Sequence, residues 1–323
     1  MSATSRIVAT GLAAAVAGAV LSAAPAGAAV QVRTAGQLSK ALRTAKAGTT
    51  IRIAKGVYTG TFRLKAKGTK ARPITIAGAK GAVLRGEKAK KGKVLSVDGS
   101  AWVKITGITV TNAQKGIMLN GSRRVLIDHV TVHGIGMEAV HFRHNSTDNV
   151  IRYSRIYDTG VHKAKFGEGV YIGSAVSNGR NDRSDRNSVH HNTFGPNVRA
   201  EAIDVKEYSS QGKIYKNLFD GRGLSGANFA DSWIDVKGNG YLIQANKGRY
   251  TLADGMQVHS VVKGWGCGNV FKGNSLDVRG ARGDGGRKAY GIFVANPPAG
   301  CKTTVTADNK VVGGAGLTNI AVG

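Results

Sequence analysis

Glu201-Ala202-Ile203-Asp204-Val205-Lys206 and, 31 residues later, Ser232-Trp233-Ile234-Asp235-Val236-Lys237 say nearly the same thing twice. The hexad recurs in both directions. Upstream lie Lys115–Asn120, Glu138–Arg143 and Glu168–Gly173; downstream lie Asp254–His259 and Tyr290–Ala295. In all seven copies the third and fifth residues are apolar. Alternation of period two marks a half-buried strand, so those positions face a core and the fourth and sixth face solvent.

One such coil cannot bury its own apolar face, whereas coils stacked about 4.8 Å apart bury a continuous one. The expected fold is therefore all-β: a single-domain, right-handed parallel β-helix of about ten coils. Its outward positions form two columns. One runs Met118, His141, Tyr171, Asp204, Asp235, Gln257, Phe293; the other runs Asn120, Arg143, Gly173, Lys206, Lys237, His259, Ala295. A scaffold alone does not need that chemistry. Asn192, Asn217, Asn246, Asn274 and Asn309 follow closely on the apolar column Val189, Ile214, Leu242, Phe271 and Val305 and read as a structural ladder at a turn.

Ala35–Thr44 places Leu38, Ala41 and Leu42 at helical spacing, predicting a short helix that caps the open end. Strands are expected at Thr50–Ile53, Thr61–Leu64, Ile74–Ile76 and Val83–Leu84. Four polar or Gly-rich segments break the rhythm: 158–167, 174–187, 221–230 and 279–289. They read as loops, and three of them flank the Asp204/Lys206 hexad, which is where a groove is expected.

Arg6, the Ala-rich apolar run Ile7–Leu21 and the small residues Ala26-Gly27-Ala28 read as a secretory signal over 1–28, leaving a β-helix domain over 29–323 and an extracellular protein. No transmembrane segment is expected in the mature chain, and the protein is expected to be a monomer. In an oxidising compartment the two cysteines favour a bridge. Cys267 precedes Asn274 by seven residues and Cys301 precedes Asn309 by eight, in neighbouring coils, so a Cys267–Cys301 disulfide is expected. The net charge is +27, and between Val30 and Val97 there are 17 Lys/Arg against Glu87 alone. Such a field concentrates polyanions. With no nucleic-acid-binding module recognisable, an acidic polysaccharide is the expected partner and nucleic acid is not.

Lys206 and Lys237 stand one coil apart in one column. Two ammonium groups about 5 Å apart disfavour each other's charge, so at least one pKa is expected to fall, making that lysine a usable base. Asp204 and Asp235 pairing with them in a solvated ladder is the alternative. Glu138, Glu168 and Glu201 stack just before their strands, and such carboxylates suit a hard cation, lie against positive side chains, or share protons. His141 and His259 are acid/base candidates on the columns. Trp233 and Trp265 are candidates to frame a sugar ring.

The opening Gln37-Leu38 to Gly56-Val57-Tyr58, the coil repeats, and Glu201 followed five residues later by Lys206 resemble the polysaccharide lyases of the chondroitinase B and alginate lyase group. The resemblance implies Lys206 as base, an acid one coil later, and a calcium ion that neutralises the uronate carboxylate. This chain departs from that pattern: Arg199 replaces the first glutamate of the family's Glu-x-Glu pair, leaving Glu201 and Glu168 as metal ligands. Lys237 stands where the acidic partner arginine falls, and Arg222 is a substitute candidate.

The expectation is a secreted lyase acting by β-elimination on an anionic, uronate-containing polysaccharide. Arg199, or Ca2+ on Glu201 and Glu168, neutralises the carboxylate, Lys206 removes the proton, and Lys237 or His259 protonates the leaving oxygen. Arg143, His141, Tyr171, Asp204, Asp235 and Arg222 are expected to bind substrate. The rivals are a glycoside hydrolase using Asp204/Asp235 and a non-catalytic basic β-helix that binds glycans or cell surfaces.

Overall fold

The structure is a computed structural model that describes residues 1–2, 29–297 and 300–323. The expected signal segment lies, apart from its first two residues, outside the described residues. From Ala29 the chain winds through three parallel sheets, of 11, 10 and 10 strands, each coil giving one strand to each. One coil is Val150–Arg152, Arg155–Tyr157 and Val170–Ile172.

All seven hexads lie in consecutive strands of the third sheet, in the register read from the sequence. Met118 pairs with His141, His141 with Tyr171, Tyr171 with Asp204, Asp204 with Asp235, Asp235 with Gln257, and Gln257 with Phe293. Ile203, Val205, Ile234 and Val236 are fully buried in the core between the sheets. The outward column is not solvated as the alternation suggests. His141, Asp204, Asp235 and Gln257 are buried as well, because period two says only which face of the sheet a residue occupies, not what covers that face.

The helix spans Ala35–Thr44, capped by the Thr34 hydroxyl accepting from the Gln37 amide, and buries Leu38, Ala41 and Leu42. The early strands are Thr50–Ile53, Phe62–Leu64, Ile74–Gly78 and Ala82–Arg85, within two residues of expectation. At the turn between the first and second sheets each asparagine amide donates to the next: Asn192 to Asn217 at 3.1 Å, Asn217 to Asn246 at 3.0 Å, Asn246 to Asn274 at 3.1 Å and Asn274 to Asn309 at 2.8 Å. These buried amides satisfy one another and fix the coil spacing. The Cys267–Cys301 disulfide joins the last coils, with the Cα atoms 5.1 Å apart. Among the described residues no helix is long and apolar enough to cross a membrane.

Candidate active site

Five side chains on three adjacent strands of the third sheet form an alternating chain of charge. Lys206 Nζ lies 2.6 Å from Asp204 Oδ2. Lys237 Nζ lies 3.2 Å from Asp204 Oδ1 and also pairs with Asp235. His259 Nδ1 donates to Asp235 Oδ1 at 2.8 Å, since an ionised carboxylate only accepts. Gly173 occupies the column position before Lys206; a Cβ there would come within 2.5 Å of Ser209 Oγ and 3.3 Å of Lys206 Cβ, and its φ is +87°. Only glycine leaves Lys206 its place.

The expected fall in a lysine pKa is not found. Burial works to lower Lys206 and Lys237, but Asp204 and Asp235 outweigh it and hold both well above the ordinary lysine value. The like-charge repulsion argument counted two lysines and left out the carboxylate that sits between them. Asp235 is likewise held ionised: burial opposes this, and Lys237 and His259 prevail. His259 is itself raised, burial being outweighed by Asp235. The lysine–aspartate pairing is real, though buried rather than solvated, with the two lysine side chains 14% and 12% exposed.

The three stacked glutamates part company. Glu138 pairs with Lys115 and accepts from His141 Nδ1 at 3.1 Å; against the cost of burial these hold its pKa down to about 2. Glu168 and Glu201 make no ion pair among the described residues. Burial first, then the Asp204 charge, pushes Glu168 up to about 8 and Glu201 well above the carboxylate range. Glu168, Glu201 and Asp204 each place an oxygen within 4.8 Å of the others, a spacing suited to a metal ion. Asp204 spends both oxygens on the lysines, so the two glutamates are the free hard donors, and buried unpaired carboxylates of this kind fit a hard divalent cation.

Two cavities meet at Glu168. One, of about 300 Å³, holds Glu201, the lysine–aspartate chain and His259, and is walled by Asn228, Phe229 and Val261. The other, of about 420 Å³, is lined by Lys115, Glu138, His141, Arg143, His144, Tyr171 and Arg180. The loops 158–167, 174–187 and 221–230 supply Phe166, Arg180 and Phe229 to these walls. A larger cavity of about 520 Å³ on the second sheet is mainly apolar, and its carboxylates Asp220 and Asp277 are each tied to an exposed arginine, Arg222 and Arg279.

Not every candidate reaches the groove. Arg199 is exposed, beside Gly160, and lines neither cavity. Arg222 pairs with Asp220, which belongs to the cavity on the second sheet. Trp233 is a core residue, 1% exposed and parallel to Phe219, so it frames no sugar; it lies in the bend before the strand Ile234–Val236, where strand alternation does not set its direction. Trp265 packs against Tyr208 and Arg183. His141 is engaged at both nitrogens, the second 2.8 Å from the Gly173 carbonyl oxygen, so it holds the wall rather than offering a free base. Lys115, Arg180 and Phe229 were not singled out from the sequence. Lys115 opens the first hexad and was legible there; the loop residues had no periodic signal.

Residues 93–259 match the family described as right handed beta helix region. The alginate lyase from Paenibacillus sp. str. FPU-7 superposes over 91% of this chain and 98% of its own, with a TM-score of 0.84 and 36% identity. The chain therefore belongs to the right-handed parallel β-helix polysaccharide lyases. A pectate lyase is similar in fold at 12% identity and a TM-score of 0.59, covering 91% of this chain and 79% of its own. Pectate lyase C from Erwinia chrysanthemi, solved with Ca2+, is similar in fold at 17% identity and a TM-score of 0.52, covering 78% of this chain and 76% of its own. No curated protein matches.

Proposed function

We propose that the protein is a secreted lyase that cleaves an alginate-type uronate polymer by β-elimination in the groove of the third sheet. The observation that carries this is the chain Lys206–Asp204–Lys237–Asp235–His259 at the floor of an open cavity. The 36% identity with an alginate lyase supports the substrate class, and the signal-like first segment and the disulfide support export.

Elimination needs the carboxylate neutralised, the C5 proton removed, and the departing O4 protonated. Lys206 and Lys237 are ammonium groups fixed by carboxylates, so they offer positive charge to the uronate and to the enolate that develops, rather than a lone pair. His259 is pinned at Nδ1 by Asp235, which leaves Nε2 to take the C5 proton. The C4–O4 bond then breaks as the C4–C5 double bond forms. His259, now imidazolium, returns that proton from Nε2 to O4, while Tyr171, three strands away and kept a phenol by burial and then by Asp204 and Glu168, is left to hold a neighbouring sugar. Lys206 Nζ lies 5.1 Å from the Tyr171 ring centroid, a cation over the ring face that holds the phenol in place. Glu168 and Glu201 would hold a calcium ion, which when bound adds positive charge for the uronate carboxylate.

Hydrolysis by the Asp204/Asp235 pair would need one carboxyl protonated as general acid. Lys237 between them, with Lys206 and His259 on the flanks, keeps Asp235 ionised. The test is ultraviolet absorbance of the unsaturated uronate product, with alginate, pectate, glucuronan and chondroitin as substrates. Absorbance on alginate is the expected result; reducing ends without it would indicate hydrolysis, and binding with no product would leave a non-catalytic glycan-binding module. Lys206→Ala is expected to remain folded and lose about 10²- to 10³-fold in turnover. Undiminished turnover in that variant would remove Lys206 from the mechanism.

A further inference from the structure

We infer that the N-terminal end of the third sheet is a second, non-catalytic binding surface for the same acidic polysaccharide; this rests on reading the groove as a polyuronate site. The turn that leaves the strand Phe62–Leu64 carries Lys65, Lys67 and Lys70, and the turn that enters the strand Lys93–Asp98 carries Lys88, Lys90 and Lys91. The two turns flank opposite edges of one sheet end. All six lysines are exposed, and none pairs with an acidic group among the described residues. The nearby carboxylates are too few to balance them: Asp98 is taken by Arg63, Ser96 and Asn120, and Glu87 stands alone.

Position makes this patch part of the groove's surroundings. Phe62–Leu64 lies five strands before Ile203–Val205 in the same sheet, about 24 Å at about 4.8 Å per strand. Lys115 and Arg143 line the cavity between the two, so positive charge continues from the lysine-bearing end to the Lys206 site. A polymer can bridge that span and a short fragment cannot, so the patch raises the effective concentration of long chains at the groove. Nucleic acid fits less well. The two turns contain no aromatic residue on which bases would stack, and single lysines on flexible stems act as point charges that suit scattered carboxylates.

The experiment compares wild type with two triple variants, Lys65→Glu/Lys67→Glu/Lys70→Glu and Lys88→Glu/Lys90→Glu/Lys91→Glu, with glutamine versions in reserve should reversal impair folding. Retention on immobilised alginate is measured at low and high salt, and kcat/KM on polymeric alginate and on its trisaccharide, which is too short to bridge the span. Each variant is expected to lose at least about tenfold in affinity and kcat/KM for polymer at low salt, with fragment turnover unchanged and the difference vanishing at high salt. Wild-type cleavage with unchanged polymer affinity in both variants would overturn the second surface while leaving the lyase standing. A wild type that retains alginate through these lysines but forms no product would overturn the lyase alone. Retention of duplex DNA but not alginate by the same lysines would overturn the assigned partner.

Discussion

Replacing Lys237 by Met tests whether the charge chain is a buried unit. Among the described residues its ammonium alone bridges Asp204 and Asp235, whose side chains are 2% and 6% exposed. Without it two carboxylates on adjacent strands face each other, leaving Lys206 to one and His259 to the other. Removing one member of such a buried group costs about 3–5 kcal/mol, because the remaining charge is uncompensated. At roughly 2–4 °C per kcal/mol for a chain of this size, the melting temperature at neutral pH should fall by roughly 6–20 °C. Adding Asp204→Asn removes one of the opposed charges and should recover part of the loss, a coupling of about 0.5–3 kcal/mol. Circular dichroism melts of the single and double variants measure both, and moderate salt should change little at a buried site. A Lys237→Met protein that melts within about 1 °C of wild type would refute the reasoning.

The pH profile of kcat/KM should rise on the alkaline side of the ordinary histidine value of about 6.5, since His259 must be neutral to act as base and Asp235 raises its pKa. Asp235→Asn should move that limb to lower pH and His259→Gln should abolish it, with turnover down about 10²- to 10⁴-fold; a limb unmoved by Asp235→Asn would exclude His259 as its origin. Calcium at about a hundred times its Kd should stabilise wild type by about 2.7 kcal/mol, and Glu168→Gln/Glu201→Gln should erase the effect; wild-type melting that ignores both calcium and chelator would show that the glutamates hold no cation. Asp182 accepts from the His144 and Asn145 amides and from the Ser174 and Ser184 hydroxyls, at 2.7, 2.8, 2.7 and 2.7 Å. Burial opposes its ionisation, but these bonds hold its pKa below the usual carboxylate value. Its stabilisation is therefore complete above about pH 4 and lost as pH falls through its lowered pKa, so the gap in chemical-denaturation stability between wild type and Asp182→Asn, about 1–3 kcal/mol at neutral pH, should narrow in acid.

Much of the scaffold was legible because a repeat states each instruction several times. Ile203 and Val205 could be placed in the core from one hexad, and six further copies repeated the pattern. The asparagine ladder showed itself in the same way, whereas the serine ladder from Ser100 through Ser122 and Ser146 to Ser184, with amide-to-hydroxyl distances of 3.1, 3.1 and 3.2 Å, escaped notice because its spacing is interrupted by the long loop before Ser184. Arg199 and Arg222 were drawn to the site by closeness along the chain. Both sit at turns, and a turn in a coil sends adjacent residues to different faces of the stack.

The sequence by itself determined which side chains share a column, since strand alternation and coil repeat are both local periodicities that need no knowledge of neighbours. It therefore placed Asp204 beside Asp235 and Lys206 beside Lys237. Only the tertiary structure decided what those columns are chemically. The loops that close over the third sheet remove water from the carboxylates, and the reach of Lys237 and His259 across strands sets which partner each charge meets. Protonation depends on distance and burial through space, and neither is a property of a residue's place in the chain.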